Sequence, residues 1–236
     1  MSATDTLGEA LKDFYFNSKA EDITVISDIA EDDVIPTAYL FRNYKQMPKL
    51  ERKALDLCLG SVLDVGAASG SHSLYLQEKG ITVKAIDISE GAVEVMKARK
   101  VANIELVDFF ELNDEKFDTI LLLMNGIGIA GTLDKLPFFL NQCKNLLNPN
   151  GQILLDSSDI AYMFEEEDGS KWVDVNKNYH GEVVYQMQYK NTITEKFDWL
   201  FLDFKTLKKE AKQLGFKTEK VIAGNHFDFL ARLTLE

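Results

Sequence analysis

The chain has 236 residues, 46% of them hydrophobic, enough for the core of one α/β domain with insertions. Its formal net charge of −12 disfavours nucleic acid as a partner, because affinity for phosphate backbones comes largely from lysine and arginine. No apolar run approaches the roughly 18 residues of a membrane span, and the first residues do not resemble a secretion signal. We therefore expect a cytoplasmic protein without nucleic-acid or membrane partners. The scattered histidines and cysteines predict no metal site.

The N-terminal part of the chain predicts a cap ahead of the main domain. Apolar side chains at helical spacing predict a helix over residues 7–16. An acidic connector is expected next, ending at Pro36, and a further helix over residues 48–59. These features divide the chain into an N-terminal helical cap, residues 1–47, and a main domain, residues 48–236.

From residue 62 onward, apolar strands alternate with amphipathic helices. The predicted strands are residues 62–65, 82–86, 104–107, 119–124 and 152–156. The predicted helices between them are residues 71–79, 89–99 and 133–147. This alternation is typical of an α/β protein with a parallel sheet and right-handed crossovers.

The pattern changes after the fifth predicted strand. Residues 157–203 are rich in aromatic side chains and predict a β insertion, with a hairpin that turns at residues 190–191. A helix over residues 205–214 follows. Two strands, 218–224 and 227–235, are then expected to form an antiparallel hairpin at the end of the chain.

The turn after the first predicted strand has the composition of a ligand-binding loop. In the sequence VLDVGAASGSHSLYL, Asp64 ends the strand, and small residues such as Gly66, Ala67 and Gly70 follow. Small side chains let the backbone approach a ligand, and the N–H groups at the start of the next helix face the same turn. The dinucleotide fingerprint G-x-G-x-x-G fails in both registers, which disfavours an NAD-dependent oxidoreductase.

These residues resemble the acid-x-G-x-G-x-G turn of class I S-adenosylmethionine-dependent methyltransferases, through Asp64, Gly66 and Gly70. Alanine stands at the middle glycine, and we expect Ala68 to have a negative φ for that reason. The resemblance covers about residues 48–236. It implies a Rossmann-like seven-stranded sheet with five parallel strands, a C-terminal antiparallel hairpin, and helices on both faces.

The resemblance also implies which residues bind S-adenosylmethionine. Asp87, with Ile88 beside it, follows the glycine turn at roughly the 20-residue offset at which an acid meets a ribose; the alternative for Asp87 is a structural capping role. Asp108 is expected to accept from the adenine amine, with Phe109 near the ring. Asn125 contacts either the methionine part of the cofactor or the substrate, unless it only provides a left-handed turn.

Methyl transfer from a sulfonium requires mainly an aligned nucleophile and exclusion of water, so the sequence assigns no catalytic residue. We expect a small-molecule acceptor, contacted by Tyr44, Met47 and Trp199, with Trp172 in the same aromatic insertion. Alternatively, these aromatic residues form the core of a β extension or the face of a homodimer. A protein that binds S-adenosylmethionine or S-adenosylhomocysteine without catalysis is the second hypothesis, and the oxidoreductase is the third.

Overall fold

The structure is a computed structural model that describes residues 4–164 and 179–236. The α-helices of these residues are α1 (Thr6–Lys12), α2 (Lys49–Leu57), α3 (Ser71–Glu78), α4 (Glu90–Ala98), α5 (Leu136–Leu146) and α6 (Phe204–Gln213). The strands are β1 (Ile23–Ser27), β2 (Asp33–Ile35), β3 (Ser61–Val65), β4 (Thr82–Asp87), β5 (Ile104–Leu106), β6 (Phe117–Leu122), β7 (Leu147–Ser158), β8 (Glu182–Tyr189), β9 (Thr192–Ile193), β10 (Phe197–Leu200), β11 (Phe216–Ala223) and β12 (Asp228–Leu235).

The central sheet has the strand order β11-β12-β7-β6-β3-β4-β5. The strands β5, β4, β3, β6 and β7 run parallel to their neighbours, whereas β12 is antiparallel to β7 and β11 is antiparallel to β12. The predicted seven-stranded sheet with a C-terminal antiparallel hairpin is therefore confirmed. Because parallel strands end at the same edge, the turns after β3, β4, β5 and β6 meet along one side of the molecule.

Helices cover both faces of this sheet, since successive strand residues point to opposite sides. Leu63 of β3 packs in one cluster with Phe139 of α5 and Leu207 of α6. Its neighbour Val62 packs in another cluster with Leu55 of α2 and residues of α3. Both faces are buried, which explains the continuous apolar runs in the sequence of these strands.

A second sheet joins the N-terminal segment to the insertion, in the order β10-β8-β1-β2. The expected acidic connector is wrong: β1 and β2 form a hairpin, and β1 pairs with β8 from Thr24↔Gln188 to Ser27↔Tyr185. The short β1 finds its partner far along the chain, where local patterns give no information. The hairpin predicted at residues 190–191 is confirmed by the pairing of Tyr189 with Thr192.

The N-terminal helix α1 is fixed to the central domain by a close crossing with α4. A Cβ built on Gly91 would lie 2.6 Å from the backbone of Gly8, so only glycine permits this approach. Asp5 accepts hydrogen bonds from the N–H groups of both glycines, at 3.0 Å for Gly8 and 2.9 Å for Gly91. No helix in the described ranges has the length and apolar character needed to cross a bilayer.

Candidate active site

A cavity of about 560 Å³ is lined both by the carboxyl edge of the central sheet and by the second sheet. The turn after β3 and the end of β6 contribute Asp64, Gly66, Ala67 and Asn125. The strands of the second sheet contribute mainly apolar side chains, which are Ile23, Val25, Ile35, Met187 and Trp199. The cavity therefore combines the backbone of the glycine turn with a wall of mainly apolar side chains from the second sheet.

The glycine turn leaves open space at Gly66. Its φ of 68° lies in the left-handed region, and no atom lies within 4 Å of a Cβ built there. Gly70 also has a left-handed φ, of 77°, but a Cβ there would lie 2.8 Å from Cγ2 of Val101. Gly70 is thus required for packing, whereas the space over Gly66 belongs to the cavity.

The expected negative φ of Ala68 is wrong, because its φ is 49°. The carboxylate of Asp87 accepts the N–H of Ala68 at 2.8 Å and holds the turn in this conformation. A left-handed backbone costs an alanine roughly 1–2 kcal/mol relative to the usual regions. The turn thus keeps the glycine-like geometry even where the glycine is replaced.

Two carboxylates lie beneath the turn. Asp64 is 2% exposed and accepts the Oγ–H of Ser73 at 2.6 Å. Asp87 is also buried, and its second carboxylate oxygen accepts the N–H of Ser89 at 2.9 Å. Burial raises the pKa of both groups, although hydrogen bonds act in the opposite direction. The structure therefore gives Asp87 the capping contacts that the sequence offered as an alternative to ribose binding.

The turns after β4 and β5 expose different kinds of side chain. Ile88 is 75% exposed, unusual for an isoleucine directly beside a buried acid. Asp108 is exposed, and its Oδ1 accepts the N–H of Phe110 at 2.9 Å. The ring of Phe109 is buried and packs against Phe139, with the ring centroids 5.2 Å apart. Phe109 thus supports the turn from within the core.

Asn125 adopts the left-handed turn conformation, with a φ of 58°, and also lines the cavity. Its side chain is bonded on both ends: Nδ2 donates to the carbonyl of Leu200 at 3.1 Å, and Oδ1 accepts the Oγ–H of Ser157 at 2.8 Å. Its N–H donates to Asp156 at 3.1 Å. Asn125 thus ties β6 to β7 and to β10 of the second sheet.

Of the predicted acceptor contacts within the described residues, the structure brings only Trp199 to the cavity. Its indole lies on Gly128, where a Cβ would be 2.2 Å from the ring. Tyr44 instead stacks on Tyr75, with the centroids 4.2 Å apart, and donates to Asp56 at 2.8 Å. Met47 is buried in the core on the α2 side of the sheet. Trp172 lies outside the described residues.

A buried charged cluster beside the cavity was not predicted. Arg42 and Glu51, both buried, form an ion pair, and Nε2 of His72 lies 2.9 Å from Oε2 of Glu51. Burial acts to raise the pKa of Glu51, but the hydrogen bonds from His72 and Arg42, together with the charge of Arg42, hold it below its usual value. The sequence signal that could have indicated this cluster was a single acidic residue, Glu51, among the buried positions of α2. Its partners come from distant parts of the chain.

Asp156, near the end of β7, is a further ionisable group of this region. Burial, with a smaller effect of the charge on Glu51, raises the pKa of Asp156 to about 7. Among the residues that the structure describes, no group of three or more histidine, cysteine, aspartate or glutamate side chains is arranged to hold a metal ion.

Comparison with known proteins shows which family has this fold and this turn. A family model described as a methyltransferase domain matches residues 59–203. A crystal structure of a SAM-dependent methyltransferase from Bacteroides fragilis, in complex with S-adenosyl-L-homocysteine, is 50% identical in sequence, with a TM-score of 0.92. The match covers 98% of this chain and 94% of that one.

Two curated relatives match over shorter stretches. A cypemycin N-terminal methyltransferase from Streptomyces is 30% identical over 105 residues, 43% of either chain. A tRNA (uracil(54)-C(5))-methyltransferase from Pyrococcus horikoshii is 32% identical over 116 residues, 44% of this chain and 28% of its own. The matches therefore span less than half the length of these two relatives.

The chain belongs to the methyltransferase-domain family, and it is a class I S-adenosylmethionine-dependent methyltransferase. The resemblance found in its sequence is confirmed, and with it S-adenosylmethionine as the methyl donor of the family.

Proposed function

We propose that this enzyme transfers the methyl group of S-adenosylmethionine to a small-molecule acceptor held in the cavity under the second sheet. The observation that carries the proposal is the open space over Gly66, at the bottom of a cavity of about 560 Å³. Sites for small molecules and cofactors are typically concave, mostly apolar clefts of roughly 300–1,000 Å³. The glycine turn serves the donor, and the apolar wall serves the acceptor.

The residues along the strand ends fit the donor. Gly66 leaves open the space that a side chain would fill, and Asp64 lines the same cavity. This space suits the methionine part of S-adenosylmethionine. Asp87 has lone pairs beyond its two backbone bonds, and Ile88 offers an exposed apolar surface to an adenosine. We assign to Asp108 the adenine amine, and to Phe109 only support of the turn.

For this reaction the protein chiefly has to align the acceptor with the methyl group and to exclude water. When bound, S-adenosylmethionine supplies a methyl group activated by its sulfonium sulfur. The second sheet lines the same cavity as the glycine turn, and Trp199 of β10 is part of that lining. Holding two reactants in line can contribute roughly 7–11 kcal/mol to lowering the barrier. The apolar wall of the second sheet keeps bulk water from the reacting groups.

The cavity and the surface charge favour a small acceptor over a polynucleotide. The charge of −12 opposes a phosphate backbone. The apolar wall of Ile23, Val25 and Met187 suits an acceptor with an apolar body. We therefore propose a compact, partly apolar acceptor for this enzyme.

Binding and turnover together test the proposal. Calorimetry should show binding of S-adenosylmethionine and S-adenosylhomocysteine and none of NAD. A screen of small amines, phenols and carboxylic acids, with a short peptide and a tRNA as competing classes, should then show methyl release with a small molecule. NAD binding would contradict the donor assignment. Methylation of only the peptide or the tRNA would overturn the acceptor class, and donor binding without release under every condition would favour the non-catalytic hypothesis.

A further inference from the structure

The geometry points to His72 as the general base of the methyl transfer. Its Nδ1 takes the proton that the acceptor loses, and Glu51 is the positioning residue that holds the imidazole ring in place. The inference rests on the proposed function, because it assigns a role within the same cavity. It goes further by naming the group that activates the acceptor.

His72 lies where such a base is needed. It is in the first turn of α3, directly after the glycine turn, and it lines the same cavity as Gly66 and Trp199. Its side chain is 12% exposed, so the ring is largely enclosed by protein. A proton acceptor at this place shares one cavity with the glycine turn and with the side chains of the second sheet.

Glu51 fixes which ring nitrogen is available. Its pKa lies below its usual value, so it is a carboxylate that can only accept hydrogen bonds. Nε2 of His72, 2.9 Å from Oε2 of Glu51, must therefore carry the hydrogen. In the neutral ring this leaves the lone pair on Nδ1. Within residues 4–164 and 179–236, no hydrogen bond occupies Nδ1.

The pair is itself held by buried contacts. Arg42 donates through Nη2 to the other oxygen of Glu51 and through Nη1 to the carbonyl of Tyr39. Its guanidinium lies over the Tyr39 ring, 3.7 Å from the centroid. With Arg42 and Glu51 both buried, the carboxylate cannot rotate away from His72. In general-base catalysis, the base that activates a nucleophile is often oriented by a third group. Here Glu51 would be the group that orients His72.

The step balances with the groups named. A lone pair on the oxygen or nitrogen of the acceptor forms the new bond to the methyl carbon. The carbon–sulfur bond breaks, and its electron pair stays on the sulfur of S-adenosylhomocysteine. The proton of the acceptor hydroxyl, or of the ammonium that a neutral amine becomes on methylation, passes to Nδ1 of His72, which becomes an imidazolium and later releases it to water.

The charges facing His72 suit this step. Glu51 on α2, Asp64 on β3 and Asp156 on β7 interact with it as carboxyl groups, and Arg42 is the cation of the cluster. The carboxylate of Glu51, in direct contact with the ring, stabilises the positive charge that the ring gains.

Nuclear magnetic resonance of the imidazole nitrogens tests the tautomer directly, since the chain has only three histidines. In the complex with S-adenosylhomocysteine, at pH 8, we expect His72 to carry its proton on Nε2 and none on Nδ1. In Glu51→Gln, the amide can donate to Nε2, and the proton should move to Nδ1, as happens when a carboxylate partner is replaced by its amide. A proton on Nδ1 in the wild type would overturn the inference.

Kinetics and binding separate a base from a residue that merely holds a ligand. With any acceptor that the wild type methylates in the amine and phenol screen, His72→Gln should lower kcat by roughly 100-fold or more. The KM of the acceptor and the Kd of S-adenosylhomocysteine should change less than threefold. His180→Gln, outside the cavity lining of the described residues, is the matched control and should behave as the wild type.

Three results would contradict the assignment. If His72→Gln had the same kcat as the wild type, His72 would have no catalytic role. A Kd for S-adenosylhomocysteine raised tenfold or more in that variant, with kcat unchanged, would make His72 a donor-binding residue. An unchanged pH–rate profile in His72→Gln would exclude proton transfer to this ring. Failure of the wild type to bind S-adenosylhomocysteine would instead refute the proposed function.

Discussion

The two sides of the cavity are built in opposite ways. At the edge of the central sheet, the cavity is lined by the backbone of the glycine turn and by Asp64, whose carboxylate is bonded to Ser73, together with apolar side chains such as Leu123. On the second sheet, the surface consists of side chains such as Val25, Met187 and Trp199, on strands from distant parts of the chain. In the proposed function, the first side binds the donor and the second side binds the acceptor. Substitutions should therefore separate donor affinity from acceptor use.

The largest effect is expected at Gly66. Gly66→Val places a branched side chain in the open space over the turn, and we expect the Kd of S-adenosylhomocysteine to rise at least about 100-fold, or roughly 2.7 kcal/mol. Gly80→Val is the matched control, because Gly80 has a similar φ of 77° and equally open surroundings but does not line the cavity. Both variants should lose similar stability. Equal donor binding by the two would contradict the account.

Asp87→Ala should affect both affinity and stability. A carboxylate that bonds a ribose contributes roughly 1.5–3 kcal/mol, so the Kd should rise roughly 10- to 150-fold by calorimetry. The melting temperature should also fall, because the N–H groups of Ala68 and Ser89 lose their acceptor. Asp118→Ala, which frees the N–H of Ser61 at the opposite edge of the sheet, should lower the melting temperature alone. An unchanged Kd in Asp87→Ala would leave Asp87 with only its capping role.

Trp199 tests the second sheet. Trp199→Ala should raise the KM of the acceptor roughly tenfold, through loss of about 1.4 kcal/mol of apolar contact, and should leave the Kd of S-adenosylhomocysteine within twofold. Tyr44→Ala removes an aromatic ring outside the cavity and should change neither constant. If Tyr44→Ala impaired acceptor use and Trp199→Ala did not, the acceptor would bind elsewhere.

Asp156 makes stability depend on pH at the junction of the two sides. Its folded pKa of about 7 exceeds the usual aspartate value of 3.8, so the folded state retains the proton longer and stability falls as pH rises from about 4 to about 7. Asp156→Asn keeps an acceptor for the N–H of Asn125 without the charge. Its melting temperature relative to wild type should therefore be higher at pH 8 than at pH 5.

The opposite sign is expected at Asp118, whose pKa is lowered by hydrogen bonds from Ser61 and Asn148. Its contribution is fully present above the unfolded pKa and is lost only as pH falls below it. Asp118→Asn should thus destabilise equally at pH 5 and pH 8. If the melting temperature of Asp156→Asn also differed from the wild type by the same amount at pH 5 and pH 8, the raised pKa of Asp156 would be contradicted.

Ala68→Gly should have the smallest effect. Glycine removes the cost of the left-handed φ of 49° but adds unfolded-state entropy of roughly 0.5–1 kcal/mol, so the two terms nearly cancel. The melting temperature and the donor Kd should stay close to wild type. A large gain in donor affinity would show that Ala68 had held the turn away from its binding geometry.

The difference between the two sides also explains what the sequence could predict. Asp64, Gly66 and Gly70 lie within a few residues of one another, and Asp87 follows one helix later, so local patterns define the donor side. The sheet order follows from the alternation of strands and helices. Even there, the left-handed φ of Ala68 depends on its bond to Asp87, a contact that residue type alone does not specify.

The acceptor side depends on contacts between distant segments. β1 is short and gave no sign of its pairing with β8, so the N-terminal segment was interpreted as a connector. Tyr44 and Met47 were expected at the acceptor because they precede the first helix of the main domain, but packing directs them to Tyr75 and to the core. The pair of Glu51 and His72 likewise exists only after α2 and α3 have packed side by side.

The most direct test of the central claim is a crystal structure of this enzyme with S-adenosylhomocysteine. The account predicts the homocysteine part over Gly66 and beside Asp64, the ribose hydroxyls within hydrogen-bonding distance of Asp87, and the adenine against Ile88 near Asp108. The sulfur should face the apolar wall that carries Trp199. Binding of the molecule elsewhere, or Asp87 and Asp108 turned away from ribose and adenine, would contradict it.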